Sequence, residues 1–363
     1  MVNWKLWAAL AASVVLASCG GGDAKPEIKS LVSFGDSLSD VGTYRVGTVA
    51  AVGGGRYTVN GPAARNWTEL VASEFRLPAP CPAMTGLDGS ATLGFFAPVT
   101  RNSACTNHAQ GGARVSLQPG PGNKLLGGAN AILGQLTIPV KEQIANHLAA
   151  SNGRFNGAEL VTVLAGGNDL FIQAGAVPQV AASIAATGVT PSVALQQAVA
   201  QAAQAMGTAG TELATLVRNE MLAKGARYVV VVNLPDVSRT PYALAQNADG
   251  QAMVAALVGA FNQALAAGLA GTAGVVMVDA YTSSRAQAAN PGAYGLTNVT
   301  TPVCSTTSAA NPLGGNALTC TDASTIGVAY GTYLYADNVH PTPRGNQLLA
   351  DEVLRALRVA GWL

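Results

Sequence analysis

Short apolar runs alternate along this chain with longer segments of helical spacing. Ser30–Phe34, Leu160–Leu164, Arg227–Val232 and Gly274–Val278 are apolar nearly throughout, the pattern of strands buried on both faces. The stretch that ends at Asn107 reads as a further strand. Arg65–Ala72 sets Trp67, Leu70 and Val71 on one helical face, and Ile138–Ala150 repeats Val140, Ile144 and Leu148. Ser192–Lys224 and Gln251–Ala270 are rich in alanine but keep apolar spacing, so they read as packed helices. A last helix spans Pro341–Val359, its start marked by Pro343. Arg76–Thr100 is rich in proline and glycine, and Tyr281–Ala336 reads mostly as loop. Buried strands alternating with helices predict an α/β, doubly wound three-layer αβα sandwich around a five-stranded parallel sheet. No internal repeat is present.

The loops are unequal. Those leaving strand ends are long (Val41–Gly61, Ala113–Gly134, Leu234–Gly250, Tyr281–Val339), whereas Lys224–Ala226 and Gly271–Ala273, which enter strands, are short. Open parallel sheets bind ligands outside the carboxyl ends of their strands. The first strand runs there into Ser33-Phe34-Gly35-Asp36-Ser37-Leu38-Ser39-Asp40. Gly35 allows a sharp bend, and Ser37 is expected in the open at a helix N-terminus, where free N–H groups favour negative charge. By itself the octet also fits an ordinary cap. It is not a Gly-x-Ser-x-Gly elbow, because Ser39 stands at the second glycine position.

The composition narrows the class. Of 363 residues 49% are hydrophobic and 11% charged, which supports a large core and argues against disorder. A formal net charge of +1 without Lys/Arg runs gives no reason to expect nucleic acid. Beyond the N-terminus no apolar segment is expected to cross a bilayer. Lys5 and the apolar Leu6–Ala17 form a targeting segment that ends in Leu16-Ala17-Ser18-Cys19-Gly20. This resembles the lipobox of bacterial lipoproteins. The resemblance implies a signal peptide over residues 1–18, an acylated Cys19 and a flexible tether over 19–29. The alternative is an ordinary cleaved signal. The remaining cysteines, Cys81, Cys105, Cys304 and Cys320, suggest two disulfides in an exported chain. The local pairs Cys81–Cys105 and Cys304–Cys320 are expected because each joins residues already near each other, although four cysteines allow three pairings. No Cys-x-x-Cys spacing suggests a metal.

A serine nucleophile requires a base, a group to orient the base, and donors for the oxyanion. Of the three histidines, His147 is expected on a solvated helix face and His108 near the site. His340 follows Asp337 by three residues, a spacing at which a carboxylate can fix the imidazole tautomer. Gly112 and Asn168 are candidate oxyanion donors. Taken singly, each of these is also an ordinary turn.

Together, Phe34-Gly35-Asp36-Ser37-Leu38-Ser39-Asp40, Asn107-x-Ala109-x-Gly111-Gly112-Ala113, Gly166-Gly167-Asn168-Asp169 and Asp337-x-x-His340-Pro341-Thr342 resemble, in order and spacing, the GDSL or SGNH hydrolase family. Val59-Asn60-Gly61-Pro62, Asn233-Leu234-Pro235-Asp236 and Phe261-Asn262 add lesser matches. His108 stands where an aromatic or aliphatic residue is expected. The resemblance covers about Leu31 to Leu357 and implies one flavodoxin-like domain, 30–363, because the blocks span Ser37 to His340. It further implies a serine esterase or lipase with the triad Ser37, Asp337 and His340, an oxyanion hole from Ser37, Gly112 and Asn168, and neither metal nor cofactor. The expected partners are a small, lipid or polymeric ester and, through Cys19, a membrane of the bacterial cell envelope, with the chain a monomer. Acyl transfer by the same residues, or a non-enzymatic binding role on the same fold, are the alternatives.

Overall fold

The computed structural model describes residues 25–62 and 64–363. The expected signal peptide, Cys19 and the tether up to residue 24 lie outside the described residues. Four buried strands make the central sheet: β1 (Ser30–Gly35), β4 (Glu159–Leu164), β5 (Tyr228–Val232) and β6 (Val275–Val278). They are parallel, in the order β1-β4-β5-β6. Among the described residues the sheet thus has four strands, not five. The segment at Asn107 reaches its edge, where Ser33 donates to Thr106 at 3.0 Å and accepts from His108 at 2.7 Å. Only the single bridge Ser33–Asn107 forms: Gln110 N–H still donates to the Gly35 carbonyl at 3.1 Å, but the Gly35 N–H that would complete the ladder goes to Gln143 Oε1 at 2.9 Å.

Side chains alternate across the strands and build two cores. One face carries Val32, Phe34, Val161, Val163, Val229 and Val231. It is covered by α4 (Val140–Ala150), α5 (Gly167–Ala185), α6 (Pro191–Leu216) and α8 (Ala248–Leu269). The other face, with Leu31, Leu160, Leu164, Val230 and Val232, is covered by α2 (Trp67–Glu74), α9 (Ala280–Ala289) and α10 (Pro343–Val359). This is the three-layer sandwich that the apolar pattern predicts. By length and composition α8 could cross a membrane, with a mean hydropathy of 1.6, contrary to expectation. Its Val254, Leu257, Val258, Phe261 and Leu265 are instead buried in the first core.

Three elements depart from the sequence reading. α5 begins within the Gly166–Asp169 stretch that resembles a turn, and it tolerates Pro178 inside the helix. α9 lies in the expected loop after Tyr281, and its only buried residues are Ala280 and Gln287, so no apolar stripe announces it. The Pro/Gly-rich stretch contains an antiparallel hairpin, β2 (Met84–Asp88) and β3 (Phe96–Arg101).

The long loops are not loose. Residues 41–61, with the short α1 (Gly47–Ala51), the hairpin and α3 (Gly128–Leu133) pack with residues 303–336 around a third core that includes Tyr44, Tyr57, Phe95, Leu133, Leu318 and Cys320. Asn60 ties this cap together by donating to the carbonyls of Ala317 at 3.1 Å and Cys320 at 3.0 Å. Both local disulfides form, Cys81–Cys105 and Cys304–Cys320, with Cα separations of 5.1 and 5.8 Å. A short α7 (Pro241–Leu244) follows β5. The cap sits over the carboxyl ends of the strands.

Candidate active site

β1 ends at Gly35, where φ is 144° and a Cβ would stand 2.2 Å from the Leu164 carbonyl, so only glycine fits. Gln143 of α4 supports this residue from both sides, accepting from the Gly35 N–H at 2.9 Å and donating to its carbonyl at 2.8 Å. Ser37 then lies in a tight turn, not at the helix N-terminus expected. Ser39 N–H donates to the Asp36 carbonyl at 3.1 Å and Leu38 N–H to Asp36 Oδ1 at 3.0 Å. The Ser37 N–H has no protein acceptor among the described residues.

Asp40 joins this turn to the loop that carries Gly112. Its Oδ1 accepts from Gly42 and Thr43 N–H, each at 2.8 Å, and its Oδ2 from Gly111 N–H at 3.0 Å. Burial pushes the carboxyl up to about 6 against these hydrogen bonds. The Gly112 N–H likewise has no protein acceptor among the described residues. A Cβ at Gly112 would meet the Pro121 carbonyl at 2.2 Å, so the close approach again requires glycine.

Asn168 stands in the first turn of α5. Its Nδ2 donates one hydrogen to the Ala113 carbonyl at 2.9 Å, which orients the amide and leaves the second N–H for the cleft. The neighbouring Asp169 locks the same two segments by accepting from Arg114 Nε at 3.0 Å and Val115 N–H at 2.9 Å. The lesser motifs act as supports. Asn262 accepts from Leu234 N–H at 2.9 Å and donates to its carbonyl at 2.8 Å, which fixes one wall of the cleft.

His340 and Asp337 precede α10 on one turn. Asp337 Oδ1 accepts from the N–H groups of Val339 at 3.0 Å and His340 at 2.8 Å. Its Oδ2 accepts from Ala317 N–H at 2.9 Å and lies 2.8 Å from His340 Nδ1. A carboxylate only accepts, so Nδ1 carries the proton. His340 Nε2 is left as acceptor, 2.8 Å from Ser37 Oγ. Burial alone would raise the Asp337 carboxyl, but the His340 charge and these hydrogen bonds hold it below the usual range.

Ser37, Gly112, Asn168 and His340 line one cleft of about 400 Å³. Its walls include Leu133, Phe171, Leu234, Val237 and Val339. Asp36 also faces the cleft, and burial pushes its carboxyl up to about 7. A wider groove of about 640 Å³ beside Arg45, Arg56 and Arg65 contains none of the catalytic candidates. Sequence reasoning missed Tyr57, whose ring centroid lies 4.7 Å from that of His340 and whose hydroxyl accepts from Gln135 Nε2. Nothing local marks it, because the contact joins residues far apart in the chain.

The other histidines lie elsewhere. His108 Nε2 and His147 Nδ1 are 3.3 Å apart. They lie beside Phe34, which stacks on His108 at 5.4 Å, and line a separate cavity of about 220 Å³. His108 therefore does not line the cleft, and His147 is buried rather than solvated. Burial lowers their imidazoles to about 3 and about 4 respectively.

The arrangement comprises an activatable hydroxyl, an oriented base and converging N–H donors beside an apolar cleft, the components of acyl transfer. In comparisons with known proteins, the profile of the GDSL-like lipase/acylhydrolase family matches residues 31–353. No curated protein sequence matches the chain. Among solved structures, LAE5, an alpha/beta hydrolase enzyme from the metagenome of Lake Arreo, Spain, is 13% identical, with a TM-score of 0.40 over 93% of this chain and 98% of that one.

Proposed function

The chain belongs to the GDSL-like lipase/acylhydrolase family, and from that premise we propose that it is an exported serine hydrolase of carboxylic esters, acting through an acyl-enzyme on Ser37. The observation that carries this reading is the continuous relay from Ser37 Oγ to His340 Nε2 at 2.8 Å and from His340 Nδ1 to Asp337 at 2.8 Å. In the first step Ser37 Oγ attacks the ester carbonyl and His340 Nε2 takes the hydroxyl proton. The imidazolium is stabilised by Asp337, which remains ionised. Charge that develops on the carbonyl oxygen falls to the N–H groups of Ser37 and Gly112 and the free N–H of Asn168. Collapse of the intermediate breaks the bond to the leaving alcohol, which takes its proton from Nε2. Water repeats the sequence on the acyl-enzyme, releases the acid and restores the Ser37 hydroxyl.

Export is supported by Lys5, the apolar Leu6–Ala17 and the two disulfides, since such bridges persist in oxidising compartments. Anchoring to a bacterial membrane through acylated Cys19 belongs to the same proposal. A fluorophosphonate probe tests the chemistry. It should lose fluoride and form one adduct, on the peptide containing Ser37, and Ser37→Ala should prevent both labelling and release of acid from a chromogenic ester. Labelling at another serine, or full turnover in Ser37→Ala, refutes the assignment. Adding a competing alcohol distinguishes hydrolysis from acyl transfer by its product.

A further inference from the structure

Tyr57 touches both halves of the proposed catalytic machinery. Its ring lies 4.7 Å, centroid to centroid, from that of His340, with 36° between the planes. Its other end rests on the oxyanion loop. A Cβ at Gly111 would stand 1.9 Å from the Tyr57 hydroxyl and 2.3 Å from the ring carbon that bears it, so the glycine before Gly112 leaves room for the tyrosine. Gln135 Nε2 donates to that hydroxyl, and the Gln135 N–H is tied to the Gly122 carbonyl at 2.8 Å. The backbone is held too. Arg56, one residue before, is clamped by Glu69 of α2, Nε to Oε2 at 2.8 Å and Nη2 to Oε1 at 2.7 Å. Tyr57 itself is buried in the core of the cap, so its ring is fixed before any substrate arrives.

Ser37 and Asp337 hold the His340 imidazole by its two nitrogens, contacts that lie near the ring plane. Tyr57 packs against the ring from the cap, where neither can act. Its second effect is electrostatic. An aromatic face attracts a cation within about 6 Å of its centroid, and in the relay His340 is a cation only while it holds the Ser37 proton. The contact therefore strengthens as the transition state forms. Burial raises the Tyr57 phenol well above its ordinary range, so the ring stays neutral. The imidazolium is also faced by Asp337 on its own turn and by Asp36 on the turn after β1. We propose that Tyr57 is a positioning residue for the hydrolytic reaction, whose ring holds His340 in line with Ser37 and favours its imidazolium form. This rests on the ester hydrolase reading and adds a residue of the cap to its machinery.

The test uses the full chain, with kcat and KM on a soluble chromogenic ester followed against pH. Tyr57→Leu removes the aromatic face and should lower kcat about 2- to 30-fold, with KM within about twofold, the range expected for a cation beside an aromatic ring. The acidic limb of kcat/KM should move to lower pH by about 0.4 to 1.5 units, because the imidazolium loses a stabilising neighbour. Asp36, raised by burial to about 7, titrates in the same region, so the shift is measured again in an Asp36→Asn background and should persist there. Tyr57→Phe keeps the face and should return the limb to its place and kcat to within about threefold of wild type. Replacing Tyr57 by phenylalanine and then by its mono-, di- and trifluoro analogues weakens the face at nearly constant shape. Both kcat and the limb should then fall stepwise, which decides the question even if Tyr57→Leu does not fold. A limb that stays in place, whatever the loss in kcat, reduces Tyr57 to packing and overturns the proposal, as does a raised KM with unchanged kcat. If the wild-type chain turns over no ester, the hydrolase reading fails instead. NMR titration of the His340 imidazole in wild type and in the fluorinated series then still tests the contact, and an unmoved midpoint refutes it.

Discussion

Truncating Asn168 separates catalysis from folding, because its two amide hydrogens do different work. One holds the Ala113 carbonyl at 2.9 Å, and the other faces the cleft. In Asn168→Ala, loss of the first leaves a buried carbonyl without its donor, at about 1–3 kcal/mol of stability. Loss of the second removes one of the three proposed oxyanion donors, which corresponds to a decrease of about 10²- to 10³-fold in kcat. The reasoning requires the kinetic effect to appear in kcat and kcat/KM alike, since the donor acts on charge that exists only in the transition state. Steady-state kinetics on a soluble chromogenic ester, alongside urea unfolding, measure both quantities. Asn168→Asp preserves the shape but sets a carboxylate against the oxyanion, and should be slower than the alanine variant. A raised KM with unchanged kcat would show that Asn168 only binds substrate, and a kcat within about threefold of wild type would refute its role as a donor.

Other outcomes follow from the same geometry. Ser37→Ala should reduce turnover on the order of 10⁶-fold and Asp337→Asn about 10⁴-fold, without unfolding, as read by burst and steady-state assays. Replacing Cys304 and Cys320, whose separation is 16 residues, should cost roughly 3 kcal/mol on the loop-entropy estimate. It should impair activity more than replacing Cys81 and Cys105, because Ala317, inside that loop, donates to Asp337; equal kinetic effects would refute the bracing role. Burial lowers His108 to about 3 and His147 to about 4. Their contribution to stability is therefore complete above pH 6.5 and is lost as the pH falls towards 4 and 3, by about 1.4 kcal/mol per unit for each group that titrates. Asp36 and Asp40, raised by burial to about 7 and about 6, oppose this, since their neutral forms favour the folded state as the pH falls from about 7 to 4. Urea unfolding at pH 7 and 4.5 should show a smaller acid loss in His147→Leu than in wild type, and identical pH slopes would refute the account.

What was legible in the sequence is what is encoded locally. Asp337 and His340 share one turn, so their spacing alone brings carboxylate and imidazole together. Gly35 and Gly112 announce close backbone approaches. The strands β1, β4, β5 and β6 are apolar runs that bury wherever they pair. Contacts decided between distant segments were not legible. His147 lies in a helix whose polar pattern resembles a solvated face, and it is buried only because His108 and Phe34 meet it across 39 residues and more. The expected fifth strand fails because Gln143, from a distant helix, takes the Gly35 N–H that would complete its ladder, so that only the bridge at Asn107 forms. Tyr57 reaches His340 through the cap, whose core combines residues from loops far apart in the chain.

The acidic residues beside the reactive groups explain how long loops can carry a site that demands sub-ångström placement. Asp40 follows the proposed nucleophile Ser37 by three positions and accepts from Gly111, beside Gly112, the second proposed oxyanion donor. Asp169 follows the third donor directly and accepts from Arg114 and Val115, on the far side of the same loop. Asp337 orients His340, the proposed base, and at the same time accepts from Ala317, across the insertion that carries the Cys304–Cys320 bridge. In each case a carboxylate within three residues of a reactive group accepts backbone N–H bonds from the segment that must meet it. Backbone donors cannot be lost by side-chain rotation, and a carboxylate accepts several at once. Such links transmit position between loops more firmly than apolar contact alone. They also carry a cost in desolvation, visible in the raised carboxyls of Asp40 and Asp169, which is tolerable only where precise geometry is needed. The concentration of these buried acids at one edge of the sheet is thus itself a physical mark of the site, independent of the motifs that first drew attention to it.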